Sequence, residues 1–173
     1  MKLSPWVAVL LAAFCAAAAA QTTVEEVRRQ WPDFRYLDPG QLRELPEVIR
    51  SDMEKLGCRV PKFIKWDARH NVIQGQFFKQ GQTDWAVLCQ VGDKTGILLY
   101  PGGAASDLPM MRSEPTDPLR TIHVVSAFVL QKRAVRDHPD EPPPPFDHDG
   151  IEDGPIQKAG RVIYHRDDEW AEF

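Results

Sequence analysis

The chain has 173 residues, 43% hydrophobic and 27% charged, a composition that fits a folded globular protein and excludes a disordered or fibrous one. Its 21 Lys and Arg against 25 Asp and Glu give a formal charge of −4, which excludes nonspecific binding to nucleic-acid phosphates. A chain of this length buries roughly 68–70% of its unfolded surface in one core, and two full domains would be cramped.

Residues 1–20 have the make-up of a cleavable export signal. Lys2 supplies the positive start, residues 7–14 and the alanines after them form the apolar run, and Ala18-Ala19-Ala20 offers a small-x-small cleavage site before Gln21. The run ends in small alanines and is short for a membrane span of about 20 strongly apolar residues, so cleavage is expected over anchoring. A lipoprotein would need a small residue before Cys15, where Phe14 stands. The expected product is one globular domain over residues 21–173, periplasmic or extracellular, with no stable membrane insertion once the signal is removed.

The mature chain keeps two cysteines, Cys58 and Cys89, an even pair in an oxidising compartment. A disulfide closing a loop of about 30 residues would contribute roughly 3–4 kcal/mol. The competing readings are a pair of buried thiols or a catalytic cysteine, but no Cys-x-x-Cys spacing supports redox work.

Residues 21–56 read as helical. Thr22 or Thr23 can cap a short helix carrying Glu25 and Glu26 in its first turn, where the helix dipole favours acids. After the Asp38-Pro39-Gly40 break, Leu42, Leu45, Val48, Ile49, Met53 and Leu56 recur at three- and four-residue steps and predict a second helix packed by one apolar stripe. Pro46 either starts or kinks it, and Gly57 ends it. Residues 60–100 change to strand chemistry: Phe63 to Trp66, Val72 to Phe77, and a hairpin of Trp85 to Cys89 with Ile97 to Tyr100 turning near Gly92-Asp93. Residues 101–118 read as a loop and residues 119–131 as a long strand around Ile122, Val124, Val125, Phe128 and Val129. Residues 136–145, with prolines at 142–145, predict an extended proline-rich loop that serves as a spacer, an SH3-type ligand being the other use of such a run. Residues 161–173 read as a terminal hairpin. The fold class is therefore α+β: N-terminal helices packed on a mainly antiparallel β-sheet, with one disulfide.

One local pattern occurs twice. Phe77 to Asp84 carries Phe-x-x-x-Gly-x-x-Asp, and Phe146 to Asp153 carries the same spacing. This resembles the loop of FG-GAP or VCBS repeats, in which Phe precedes an acidic calcium loop. The first copy lacks the early acids, retains only Asp84, and predicts a turn into the Trp85 strand. The second keeps Asp147, Asp149 and Asp153 around Gly150; three carboxylates with carbonyls and water could approach the six to eight oxygens calcium takes. The competing reading is an acidic turn whose Asp side chains cap nearby amides. An EF-hand is excluded because its first and twelfth positions would fall on Pro145 and Ile156. A propeller of four blades, about 40–50 residues each, exceeds the mature chain. The segments Gly75 to Phe77, Asp84 to Cys89 and Asp149 to Asp153 are also similar to those of small exported bacterial proteins whose role is unknown, which implies a shared fold and adds no activity.

No Gly-x-Ser-x-Gly elbow, His-Glu-x-x-His helix, phosphate loop or dinucleotide fingerprint is present. His138 and His148, with Asp137, Asp140, Asp147 and Asp149, make a His/Asp-rich stretch able to hold a transition metal or to form a solvated loop. His70, His123 and His165 lie on or beside strands as hydrogen-bonded structural histidines. Two functions follow: a noncatalytic exported domain binding a protein, a glycan or an envelope component, with calcium ordering its acidic loop, or a small metal-dependent hydrolase using His138 or His148.

Overall fold

The computed structural model describes residues 22–66, 70–137, 139–140 and 142–172. The expected signal, with Cys15, and His138 lie outside the described residues. Thr23 caps α1 (Val24–Gln30): its hydroxyl accepts from the Glu26 amide at 3.2 Å while the Glu26 carboxylate accepts from the Thr23 amide at 2.7 Å, a reciprocal capping box. Pro46 stands just ahead of α2 (Glu47–Lys55), where its missing N–H costs nothing, so it starts the helix and does not kink it. Gly57 follows in the left-handed region at φ 68°. The apolar stripe is narrower than its sequence spacing suggests. Leu42, Leu45, Ile49 and Met53 are buried, whereas Val48 and Leu56 face solvent, because Leu42 and Leu45 precede the helix and follow a different angular progression. Strands β1 (Phe34–Leu37) and β2 (Val60–Phe63) flank α2 in sequence and pair antiparallel.

Two further antiparallel sheets follow, each a four-stranded meander. The first takes β3 (Val72–Gly75), β4 (Asp84–Val91), β5 (Lys94–Tyr100) and β6 (Met111–Pro115) in that spatial order. The β4–β5 hairpin turns at Gly92-Asp93, with Val91 opposite Lys94, as its turn residues predict. The second takes β7 (Arg120–Val125), β8 (Gly150–Pro155), β9 (Arg161–Arg166) and β10 (Glu169–Glu172), again each beside the next. Side chains alternate across each strand. Ala86, Leu88, Ile97 and Leu99 meet Ile122, Ile151 and Ile163 of the second sheet in a shared core. On the opposite face, Val87, Cys89, Leu98 and Tyr100 meet Leu45, Ile49, Met53 and Cys58 of the N-terminal unit. The continuous apolar runs of β4 and β5 thus reflect burial on both faces.

The class is mixed α+β, and the Cys58–Cys89 disulfide is formed, its Cα atoms 5.5 Å apart. Several expectations change: the residues read as a loop over 101–118 contain β6, and the segment read as helical over 21–56 contains β1. A single sheet becomes three, and helices are not confined to the N-terminal part. The strand expected over residues 119–131 ends at Val125, and α3 (Ala127–Asp137) begins two residues later. Phe128 and Val129 have strand propensities, but Leu130 through Ala134 are strong helix formers, and burying Leu130 against Val125, Val162 and Tyr164 fixes the helix on the outer face of the second sheet. The expected loop at residues 136–145 accordingly loses its first two residues to α3.

Candidate binding groove

The two similar loops are side by side. In the first, between β3 and β4, buried Asp84 accepts the amides of Phe77 and Phe78 at 2.8 and 3.1 Å through Oδ2, and the amide of Gly102 at 2.9 Å through Oδ1. Its carboxylate is used in building the turn into β4. The second loop docks on the first: the Gln76 amide donates to Asp149 Oδ2 at 3.0 Å, and the Asp149 amide returns a bond to the Gln76 carbonyl at 2.9 Å. Gly75 permits this approach, because a Cβ there would lie 2.7 Å from the Phe77 ring and 3.1 Å from Asp149 Oδ2.

The three carboxylates named for calcium have three different partners. Asp147 Oδ1 accepts the Tyr164 hydroxyl at 2.9 Å, Asp149 holds Gln76, and Asp153 lies between the sheets. There Arg120 binds Asp153 with two parallel bonds of 2.7 Å, and Arg112 Nε adds a third at 2.6 Å. The equal spacing of the two sequence patterns therefore does not give Asp84 and Asp153 equal roles. Among the described residues, no group of three His, Cys, Asp or Glu side chains could hold a metal ion.

Above the docked loops lies an open groove of about 550 Å³. Phe78 and Lys79 come from the β3–β4 loop, Asp147 and His148 from the segment before β8, and Tyr164 and His165 from β9. His148 lies flat on Tyr164, with ring centroids 4.2 Å apart and planes within 12°, and its side chain is only 5% exposed. Its Nδ1 is 3.0 Å from the Asp149 carbonyl oxygen. A carbonyl only accepts, so Nδ1 carries the hydrogen and Nε2 of the neutral ring presents a lone pair. That nitrogen makes no hydrogen bond among the described residues, and Asp147 Oδ1 is 3.8 Å away.

His165 repeats the arrangement more loosely. Its Nδ1 is 3.3 Å from the Phe78 carbonyl oxygen, and its ring sits between Phe78 and Trp170 at 5.0 and 5.3 Å. The β9–β10 turn completes the groove with Asp167 and Asp168, both left-handed at φ 53° and 63°. Tyr164 also accepts the Asp147 amide at 3.1 Å. Burial, joined by the Asp147 carboxylate that its hydroxyl bonds, pushes the Tyr164 phenol up, so it remains a donor.

A second cavity, about 470 Å³ and mainly apolar, lies between α3, Pro142, Pro143 and Pro144, and the β8–β9 turn. Its Arg133 is engaged with Glu152 at 3.2 Å, and Arg136 with Asp137 at 2.6 Å. His70 and His123 belong elsewhere: His70 is buried with Nε2 accepting the Phe63 amide at 3.1 Å, and His123 packs on Trp66 with ring centroids 5.4 Å apart. Asp140 is exposed. Sequence reasoning named Asp147 and His148 but missed Lys79, Tyr164 and a groove position for His165. These residues come from segments about 70 and 16 positions away, and no local pattern joins them. No family model, curated protein or solved structure matches this chain.

Proposed function

We propose that this is an exported, noncatalytic binding domain that seats its ligand in the His148 groove. The observation that carries the reading is the His148 ring: nearly buried, fixed by Tyr164 and the Asp149 carbonyl, with an unbonded Nε2 at the wall of an open groove. A ring held this firmly is organised for recognition before a ligand arrives, which lowers the entropy cost of binding. Export is supported by the signal-like residues 1–20, by the disulfide, and by the resemblance to small exported bacterial proteins. The hydrolase alternative would need a third metal ligand beside Asp147 and His148, and none joins them among the described residues.

The test is an imidazole-resolved NMR titration of the protein lacking residues 1–20 with neutral oligosaccharides and with acidic, neutral and basic short peptides. At least one class should shift His148 and His165 together and saturably, and His148→Phe, which keeps a flat ring on Tyr164 but removes Nε2, should abolish the response. Silence of both imidazoles toward every class would overturn the reading.

A further inference from the structure

We infer that the groove takes a cationic nitrogen, an ammonium or guanidinium group, held between the Asp147 carboxylate and the Nε2 of His148; this rests on the groove being the binding site. With the imidazole in its neutral form, the two acceptor atoms, Asp147 Oδ1 and His148 Nε2, stand 3.8 Å apart. One nitrogen can therefore lie at hydrogen-bond distance, about 2.8–3.0 Å, from both at once. To bridge them it must carry at least two hydrogens. A hydroxyl donates only one, so a sugar oxygen satisfies one acceptor and leaves the other open. An ammonium or a guanidinium nitrogen satisfies both and brings the positive charge that a carboxylate strengthens.

The surroundings favour the same class. The charged groups lining the groove are Asp147, Asp167 and Asp168 against Lys79 and Arg166. Arg166 is already turned to Asp167, its Nε 3.4 Å from the carboxylate. Tyr164 spends its hydrogen on Asp147 and so holds that carboxylate in place, while His148 contributes the side chain that is nearly buried and still has an unbonded acceptor at the groove. With Arg166 engaged by Asp167, an anionic ligand would find Lys79 alone against the carboxylates of Asp147 and Asp168. At the Asp147–His148 position a hard divalent cation would find one carboxylate and one imidazole where it needs about six oxygens, and among the described residues no third such side chain gathers there to hold a metal ion. The amine can come from a free polyamine or from Lys or Arg side chains of a polypeptide, and the chemistry at Asp147 and His148 is the same.

The experiment titrates the protein lacking residues 1–20 with cadaverine and with the tripeptide acetyl-Gly-Lys-Gly-amide, alongside its Gln and Glu counterparts, and follows the His148 imidazole and the Asp147 amide. The amine probes should bind in the millimolar range, ~1 mM, at least about tenfold tighter than the Gln and Glu tripeptides. Asp147→Asn, which keeps an oxygen for Tyr164 but removes the charge, should weaken the amine about tenfold. Lys79→Gln, which removes a competing cation from an exposed position, should tighten it about threefold. Cadaverine binding without the Lys tripeptide assigns the site to free polyamines; binding of the tripeptide assigns it to polypeptide side chains. Equal or tighter binding of the Gln or Glu tripeptide would overturn the cation while leaving the groove as a binding site. No response to any of the four probes would overturn the cation, and silence toward neutral oligosaccharides as well would overturn the groove as a binding site.

Discussion

Asn71 is fully buried and held at φ 63°, a left-handed conformation in which Asn is among the few tolerated side chains. It makes four hydrogen bonds to three strands. Its amide and carboxamide oxygen pair with the carbonyl and amide of Ile122 at 3.1 and 2.9 Å, its carbonyl accepts from Leu88 at 2.9 Å, and its Nδ2 donates to Pro61 at 2.6 Å. One residue thus joins β2, β4 and β7, each from a different sheet. Asn71→Ala strands the Ile122 amide and the Pro61 carbonyl in the interior and puts a Cβ-bearing residue without a compensating side chain at positive φ. The expected cost is about 3–5 kcal/mol, a fall in Tm of roughly 10 °C by calorimetry. Asn71→Gly should regain only the backbone part, about 1 kcal/mol. The sequence shows an Asn between His70 and Val72 and nothing of this junction, because its partners lie 10, 17 and 51 residues away.

The tyrosines act together at high pH. Burial pushes all three phenols up, joined at Tyr100 by the Asp52 carboxylate to which its hydroxyl donates at 3.1 Å; the Tyr36 hydroxyl is buried with no hydrogen-bond partner among the described residues. The folded state therefore keeps phenolic protons that the unfolded chain releases near pH 10. Their contribution is complete below about pH 10 and is lost as pH rises above it. Thermal melts from about pH 8 to pH 11 should show Tm falling steeply at the alkaline end, and Tyr100→Phe should make that fall shallower even though it loses the Asp52 bond at neutral pH. Parallel curves for the two proteins would refute the assignment.

Among the elements, the meeting of the two four-stranded sheets depends on a polar clamp beside the apolar core. Arg120 on β7 holds Asp153 on β8 and also donates to the carbonyls of Thr95 on β5 and Arg112 on β6, at 2.7 and 2.9 Å. Asp153 shares the inward face of β8 with Ile151, so it must be paired where it stands. Asp153→Asn leaves two guanidinium groups without their shared charge and should cost about 3–5 kcal/mol in urea unfolding. Because the Arg120 and Asp153 side chains are only 7% and 2% exposed, the cost should be nearly the same in low and high salt, unlike that of a surface pair. The sequence marks Asp153 as an acid in a repeated pattern, but its partner is 33 positions earlier, at the start of a strand. The β4–β5 hairpin is legible because its turn lies between the strands it joins. The β7–α3 boundary is not, because Val125, Phe128 and Val129 look alike in sequence and only packing against β9 separates strand from helix.

Across the whole molecule, the disulfide fastens the N-terminal unit to the middle of the first sheet, and the groove is formed from the β3–β4 loop, the segment before β8, and β9 with its turn. Cys58 and Cys89 are both buried among Met53, Val60 and Val87, on the face of that sheet opposite the shared core. Arg59 and Gln90 extend the tie with paired backbone bonds of 3.0 and 2.8 Å. The cross-link spans 31 residues, and releasing it frees a loop whose closure is worth roughly 3–4 kcal/mol in the unfolded chain. Cys58→Ala with Cys89→Ala should therefore lower Tm by about 10 °C. The Gln76–Asp149 and Tyr164–Asp147 bonds that shape the groove involve neither cysteine nor α2, so amine affinity measured well below the new Tm should stay within about twofold of the parent. A groove lost together with the cross-link, in protein still folded by circular dichroism, would show that the N-terminal unit positions the site.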